Sequence, residues 1–176
     1  SVVRKTRGAP DNSDVAIWLK PVVEPGRRSS ARPLPGTGLK IVQQHKRFEP
    51  RVLVVPVGSV VEFPNLDPFF HNVFSLFDGK RFDLGLYEAG TSRSVPFTTP
   101  GVCYIFCNIH PGMSAVVVVV DTPYYATTDK TGAFTVPNVP NRRNVPRLNP
   151  SSPSRLTMSS FVPASEARCF SYENPR

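Results

Sequence analysis

The sequence predicts an all-β sandwich with irregular flanks, and three observations carry that prediction. Proline and glycine number 20 and 11 in a chain of 176 residues, which punctuates the chain into short pieces rather than long helices. Several short runs of β-branched and aromatic residues stand between turn signals. No segment sustains an apolar stripe at helical spacing. Hydrophobic residues make up 40% of the chain, enough for one domain with a real core and barely enough for two small ones.

The elements follow in order. Val15, Ile17 and Leu19 alternate with Ala16, Trp18 and Lys20, the pattern of a first strand with one buried face. Glu24 to Gly38 is rich in Pro, Gly, Ser and Arg and reads as an exposed loop. Phe48 to Phe63 reads as a strand pair. Val52, Val54 and Val55 are β-branched, Pro56-Val57-Gly58-Ser59 turns, and Val60, Val61 and Phe63 resume. Asn65-Leu66-Asp67-Pro68 is turn chemistry, and His71 to Phe77 is apolar and aromatic again. Arg93 to Phe97 alternates, Pro100-Gly101 turns, Val102 to Cys107 returns, and Val116 to Val120 follows. Short strands at this spacing predict an antiparallel sandwich. Residues 141–176 are dominated by Ser, Pro, Arg and Asn without alternation, so they read as a disordered or poorly packed tail.

The net charge of +8 resembles a nucleic-acid signal until it is mapped. Residues 1–50 carry ten Lys and Arg against four Asp and Glu, residues 51–140 five against seven, and residues 141–176 six against two. The segment with the strongest strand pattern is thus mildly acidic and the basic charge lies on the flanks, so no nucleic-acid partner is expected. The longest apolar run, Ala115 to Val120, is far too short to span a bilayer as a helix. No leader is visible, and a chain starting at Ser1 rather than Met fits either a removed leader or a fragment.

The segment Cys107-Asn108-Ile109-His110-Pro111-Gly112-Met113 places a thiolate, an imidazole and a thioether within seven residues. A soft thiolate favours Cu(I), while imidazole nitrogens suit Cu(II). Two His and one Cys in a plane with a weak axial Met form a known electron-transfer arrangement. Pro111 and Gly112 can turn the backbone so that Met113 returns toward the site. The chain has three histidines, His45, His71 and His110. His71 opens an apolar strand after Pro68-Phe69-Phe70, whereas His45 lies in the polar stretch Gln43-Gln44-His45-Lys46-Arg47 and reads as a surface residue.

Phe48-x-Pro50, Val57-Gly58, Val61-x-Phe63-x-Asn65, His71-Asn72-Val73, the Phe97-Thr98-Thr99-Pro100-Gly101 turn and Cys107-x-x-His110-x-x-Met113 together resemble the plastocyanin and amicyanin branch of the cupredoxins. The resemblance covers about residues 48–121, with Val15 to Leu19 a weaker match to a first strand. It implies a cupredoxin-like Greek-key β-sandwich and one type 1 (blue) copper per chain. His71, Cys107 and His110 would be the equatorial ligands and Met113 the axial one. Asn72 is similar to the family's Asn that ties the two ligand loops together. The chain then divides into 1–47, a first strand plus loop; 48–121, the cupredoxin core; 122–140; and the tail 141–176. The segment Thr128 to Pro140 is similar to the opening of a carboxypeptidase regulatory-like, prealbumin-type β module, cut short where Asn141-Arg142-Arg143 follows.

Cys103 and Cys107 lie four apart on one strand face, about 13 Å between Cα atoms at strand rise. A disulfide needs less than about 7 Å, so the two do not bridge, and Cys103 reads as a small core residue. A dinuclear copper site using both cysteines, as in cytochrome oxidase subunit II, is the alternative. Cys169 sits in the irregular tail and reads as unpaired.

The function expected from the resemblance is one-electron transfer. The rim of Pro68, Phe69, Phe70, Pro111 and Gly112 around His110 would dock a transient redox partner, and the compartment would be periplasmic or otherwise extracytoplasmic. An enzyme is not expected, because copper oxidases and nitrite reductases need further histidines that three cannot supply. The alternative is a non-redox copper-binding or structural β module of a cell-envelope protein.

Overall fold

A computed structural model describes residues 11–22, 33–76, 80–139, 155–161 and 171–172. The described residues contain fourteen strands and no helix: β1 (Ala16–Val22), β2 (Leu39–Lys40), β3 (Val42–Gln44), β4 (Arg47–Glu49), β5 (Val52–Pro56), β6 (Ser59–Pro64), β7 (His71–Ser75), β8 (Phe82–Tyr87), β9 (Ser92–Phe97), β10 (Gly101–Phe106), β11 (Ser114–Val120), β12 (Tyr125–Thr127), β13 (Arg155–Phe161) and β14 (Ser171–Tyr172). They divide into two compact units, Pro33–Asp121 and Ser1–Arg32 with Thr122–Arg176.

Pro33–Asp121 is a β-sandwich. Its five-stranded sheet has the order β5-β11-β10-β7-β8, and a three-stranded sheet the order β2-β6-β9. The hairpin β3-β4 joins them, with Gln43 bridging to Asn65 beyond the end of β6. The pairing differs from a purely antiparallel expectation in two places. β11 runs parallel to β5, Val116 opposite Val52, and β2 runs parallel to β6. Parallel neighbours need a long crossover, and the chain between β5 and β11 provides one by building most of the sandwich. The unit also starts earlier than residue 48, because β2 and β3 pair with β6 and β4.

Alternate positions build the core. Val61 and Phe63 of β6, Val95 and Phe97 of β9, Cys103 and Ile105 of β10 and Val117 of β11 are all buried and packed together. β8 carries no sequence signal strong enough to predict it. Phe82 and Leu84 alternate, but an extra residue between Asp83 and Leu86, set against Phe74 to Asn72 of β7, breaks the period. The turn between β5 and β6 needs Gly58, whose φ is +89°.

The second unit contains a four-stranded sheet of order β12-β1-β13-β14. The weaker match of Val15 to Leu19 to a first sandwich strand is therefore corrected: β1 pairs with β12 and β13 instead. It is hydrogen-bonded along both edges, and Val15, Ala16 and Ile17 are all fully buried, so its alternation is incomplete. The reading of 141–176 as wholly irregular is also corrected. β13 lies in that tail and pairs with β1 over its full length, Ala16 opposite Phe161 and Val22 opposite Arg155. The ladder is made by backbone groups, so side-chain alternation is not needed to form it. Residues 140–154, 162–170, among them Cys169, and 173–176 lie outside the described residues, as do 23–32 of the predicted loop. The segment after β12 turns tightly at Asp129, whose carboxylate accepts the N–H groups of Thr131 and Ala133 at 2.8 and 3.0 Å.

Phe63 is fully buried in the sandwich core. Phe63→Ala should lower stability by about 3–5 kcal/mol, read as the shift of the chemical denaturation midpoint.

Candidate metal centre

The site is assembled from three places in the sandwich. β7 begins at His71, the β10–β11 loop carries Cys107, His110 and Met113, and the β3–β4 turn abuts the β6–β7 connection. The loop is closed by its own backbone. The Met113 N–H donates to the His110 carbonyl at 3.1 Å, and the Cys107 N–H donates to the Met113 carbonyl at 3.3 Å. Gly112 holds φ at +93°, a conformation that a side chain would strain. This is how seven residues return to the sheet with two donor side chains facing inward.

Three donor atoms converge. Cys107 Sγ lies 3.8 Å from His71 Nδ1 and 3.8 Å from His110 Nδ1, and the two Nδ1 atoms are 3.0 Å apart. An ion bound at about 2.0 Å to nitrogen and about 2.3 Å to sulfur in a trigonal plane would set N–N near 3.5 Å and N–S near 3.7 Å. The donor atoms already stand close to that arrangement, so the residues fit a single metal ion. His71 is fully buried, Cys107 is 7% exposed and His110 is partly exposed. Met113 is buried in the core cluster and immediately follows the loop turn. His45 is exposed and outside the cluster.

Asp67 decides how His71 presents itself. Its Oδ2 lies 2.8 Å from His71 Nε2. The same carboxylate accepts the backbone N–H groups of His45 at 2.7 Å and Lys46 at 2.9 Å. His45 and Lys46 both adopt left-handed backbone, with φ of +54° and +55°, so their N–H groups point together and form an anion-binding nest. Burial alone would raise the Asp67 carboxyl, but the Lys46 N–H, the His71 ring and the His45 N–H outweigh it and hold the group below its ordinary value. The ionised carboxylate takes the Nε2–H of His71 and leaves the Nδ1 lone pair facing the cluster.

Asn65 shapes the connection that carries Asp67. Fully buried, it donates from Nδ2 to the Phe69 carbonyl at 2.8 Å and accepts the Asp67 N–H at Oδ1 at 3.1 Å. Phe69 packs edge-on against His71 and tilted against His110, at ring separations of 5.3 and 5.4 Å. Burial first, then the charges of His71 and Lys46, pushes the His110 pKa down. Tyr87, opposite His71 in β8, donates to the Phe63 carbonyl at 2.9 Å and bonds to Gln43. Burial pushes its phenol up to about 12, so it stays neutral.

Two sequence expectations change. Asn72 does not reach the Cys107 loop: its Nδ2 donates to Asp83 at 2.7 Å, and its buried Oδ1 has no hydrogen-bond partner. β8 supplies a carboxylate there, which captures the amide. Cys103 is absent from the cluster, and its S–H donates to Ser75 Oγ at 3.2 Å, so the dinuclear alternative has no geometric support. Burial pushes the Cys103 thiol up, as befits a core residue. Cys103 and Cys107 are both free thiols, as their spacing predicts. Asp67 was legible only as turn chemistry, although an Asp four residues ahead of a ligand His is a usable signal.

No family model and no curated protein matches the chain. Among solved structures it is similar to a purple cupredoxin from Nitrosopumilus maritimus, with 26% identity, a TM-score of 0.42, and coverage of 47% of this chain and 99% of that one. A copper-containing nitrite reductase from Thermus scotoductus is 28% identical with a TM-score of 0.45, over 57% of this chain and 25% of that chain. An amicyanin variant in its Cu(I) form is 22% identical with a TM-score of 0.45, over 58% and 99%.

Asp67→Asn should weaken metal binding by about 10–100-fold, measured by competitive chelator titration. A depressed carboxyl contributes stability that is present above its ordinary value of about 3.9 and lost as the pH falls through the folded value. Acid unfolding of Asp67→Asn should accordingly begin from a lower plateau at neutral pH and fall less steeply below pH about 4.

Proposed function

We propose that this chain is a mononuclear type 1 copper protein that carries single electrons, with His71, Cys107 and His110 as equatorial ligands and Met113 as the axial one. The observation that carries the reading is the convergence of two imidazole nitrogens and one thiolate sulfur within 4.8 Å of one another, with a thioether-bearing residue at the end of the same closed loop. Bound copper supplies exchange between Cu(I) and Cu(II).

The protein's own residues supply the rest. Asp67 fixes the His71 tautomer, and the hydrogen bonds from Cys107 to Met113 and from Met113 to His110 hold the loop. A donor set held by a sheet end and a self-bonded loop moves little between oxidation states, which suits a carrier. Burial of His71, Cys107 and Met113 excludes water and leaves His110 as the ligand edge that a partner can approach. Phe70, next to His71, and Ile109, next to His110, are 54% and 43% exposed on the two loops and form an apolar rim for transient docking. The chain's third histidine, His45, gives only its backbone N–H to the nest, and its exposed imidazole is the one histidine side chain left outside the donor cluster, too few for a second histidine-rich copper centre. These features favour a carrier over an enzyme. An extracytoplasmic compartment accompanies this reading.

The copper(II) protein should absorb intensely in the visible through thiolate-to-copper charge transfer, and Cys107→Ser should abolish the band. A Cys107→Ser protein that keeps its colour would overturn the ligand set. Met113→Leu should retain copper and colour but raise the reduction potential, because an apolar side chain replaces a donor that helps Cu(II). Voltammetry that finds the potential unchanged would return Met113 to the core and leave the axial position to another group. A protein that binds copper without reversible one-electron cycling would favour a non-redox copper-binding module.

A further inference from the structure

We infer that the surface beside the ligand loop is an electropositive docking face for an acidic redox partner. The inference rests on the carrier reading above and adds the chemistry of the partner. Arg47 and Arg51, both exposed, line with Phe48, Gly112 and Ser114 a depression of about 350 Å³. Gly112 belongs to the ligand loop, between His110 and Met113. Lys46 adds a third cation: its Nζ lies 5.4 Å over the Phe69 ring, which itself packs against His110. Three cations thus flank the exposed ligand and its loop.

The charge is local rather than general. Pro33–Asp121 carries seven Lys and Arg and seven Asp and Glu, so the unit is neutral. Elsewhere in it, Lys40 is paired with Glu62 at 3.3 Å, and Arg93 donates to the Leu84 carbonyl. Among the described residues, neither Arg47 nor Arg51 forms an ion pair. Asp67, buried and bonded to His71 and the nest, offsets one of these cations and leaves the arginines outside its hydrogen bonds. Glu49, on the same strand as Arg47, is the remaining carboxylate of the segment 45–51, which keeps a net positive charge. A neutral domain with cations gathered at one end orients an anionic partner during approach. The partner surface that fits is a small apolar centre facing Ile109 and Phe70, with carboxylates placed to meet Lys46, Arg47 and Arg51.

The test uses the copper protein with two outer-sphere oxidants, hexacyanoferrate(III) and a tris(phenanthroline)cobalt(III) cation, in stopped flow. Arg47→Gln/Arg51→Gln should slow the reaction with hexacyanoferrate by about 3–10-fold at low ionic strength, and the difference should vanish near 0.5 M salt. The rate with the cobalt cation should not fall. A control that removes two charges elsewhere, Lys40→Gln/Lys130→Gln, should leave the hexacyanoferrate rate within about twofold. In a separate measurement, hexaglutamate titrated into the ¹⁵N-labelled Cu(I) protein should shift the amides of Arg47, Arg51, Gly112 and Ser114. An arginine variant that matches the parent with both reagents, or a control that slows as much as it does, overturns the docking face. Shifts absent from those four amides overturn it as well. If neither oxidant removes an electron while hexaglutamate still shifts them, the face stands as an acidic-ligand surface and the carrier reading fails.

Discussion

The contact between Asp67 and His71 is the constraint on which the rest of the site depends. One buried carboxylate holds the imidazole by Nε2 and is itself held by two backbone N–H groups from a hairpin turn. Left-handed backbone at two consecutive non-glycine residues is costly, and it is maintained here because the turn finds an anion to bind. The histidine therefore inherits its orientation from the β3–β4 hairpin rather than from its own strand alone. The coupling reaches further through Asn65, which accepts the Asp67 N–H and ties the same connection to the Phe69 and Tyr87 carbonyls.

The other half of the site is built by the opposite strategy. The β10–β11 loop is short and bonds to itself, so Cys107 and His110 are positioned by local backbone closure, with little help from distant side chains. The sandwich brings the two halves together by placing β7 beside β10, where Phe74 pairs with Phe106. Beneath them, Tyr87, Gln43 and the Phe63 carbonyl form a buried polar cluster that stays uncharged.

Much of this was legible from residues alone, and the reason is local. Cys107, His110 and Met113 fall within one loop, and His71 opens an apolar strand, so residue type and spacing were enough to select them. The turn at Gly58 and the strands flanking it were visible for the same reason. The structure itself shows His71, Cys107 and His110 converging and Met113 buried beside them. β8 was not legible, because a bulge within it disrupts the alternation, and β13 was not, because its ladder is a backbone property without a side-chain pattern. Asn72 carried a family-like position but not a family-like contact, since Asp83 on a neighbouring strand takes its amide.

By itself the sequence determined an all-β domain, an internal thiolate–imidazole–thioether loop and a single plausible upstream histidine, because each depends on contiguous residues and their periodicity. Tertiary structure alone decided that β1 joins β12 and β13, that Cys103 faces Ser75 rather than the donor cluster, and that Asp67 is more than a turn residue. Those outcomes depend on which distant backbone groups come within hydrogen-bonding range, as when the N–H groups of His45 and Lys46 reach a carboxylate more than twenty residues away in the chain. Such a meeting leaves no trace in local composition, because it is set by the pairing of strands rather than by the residues on either side.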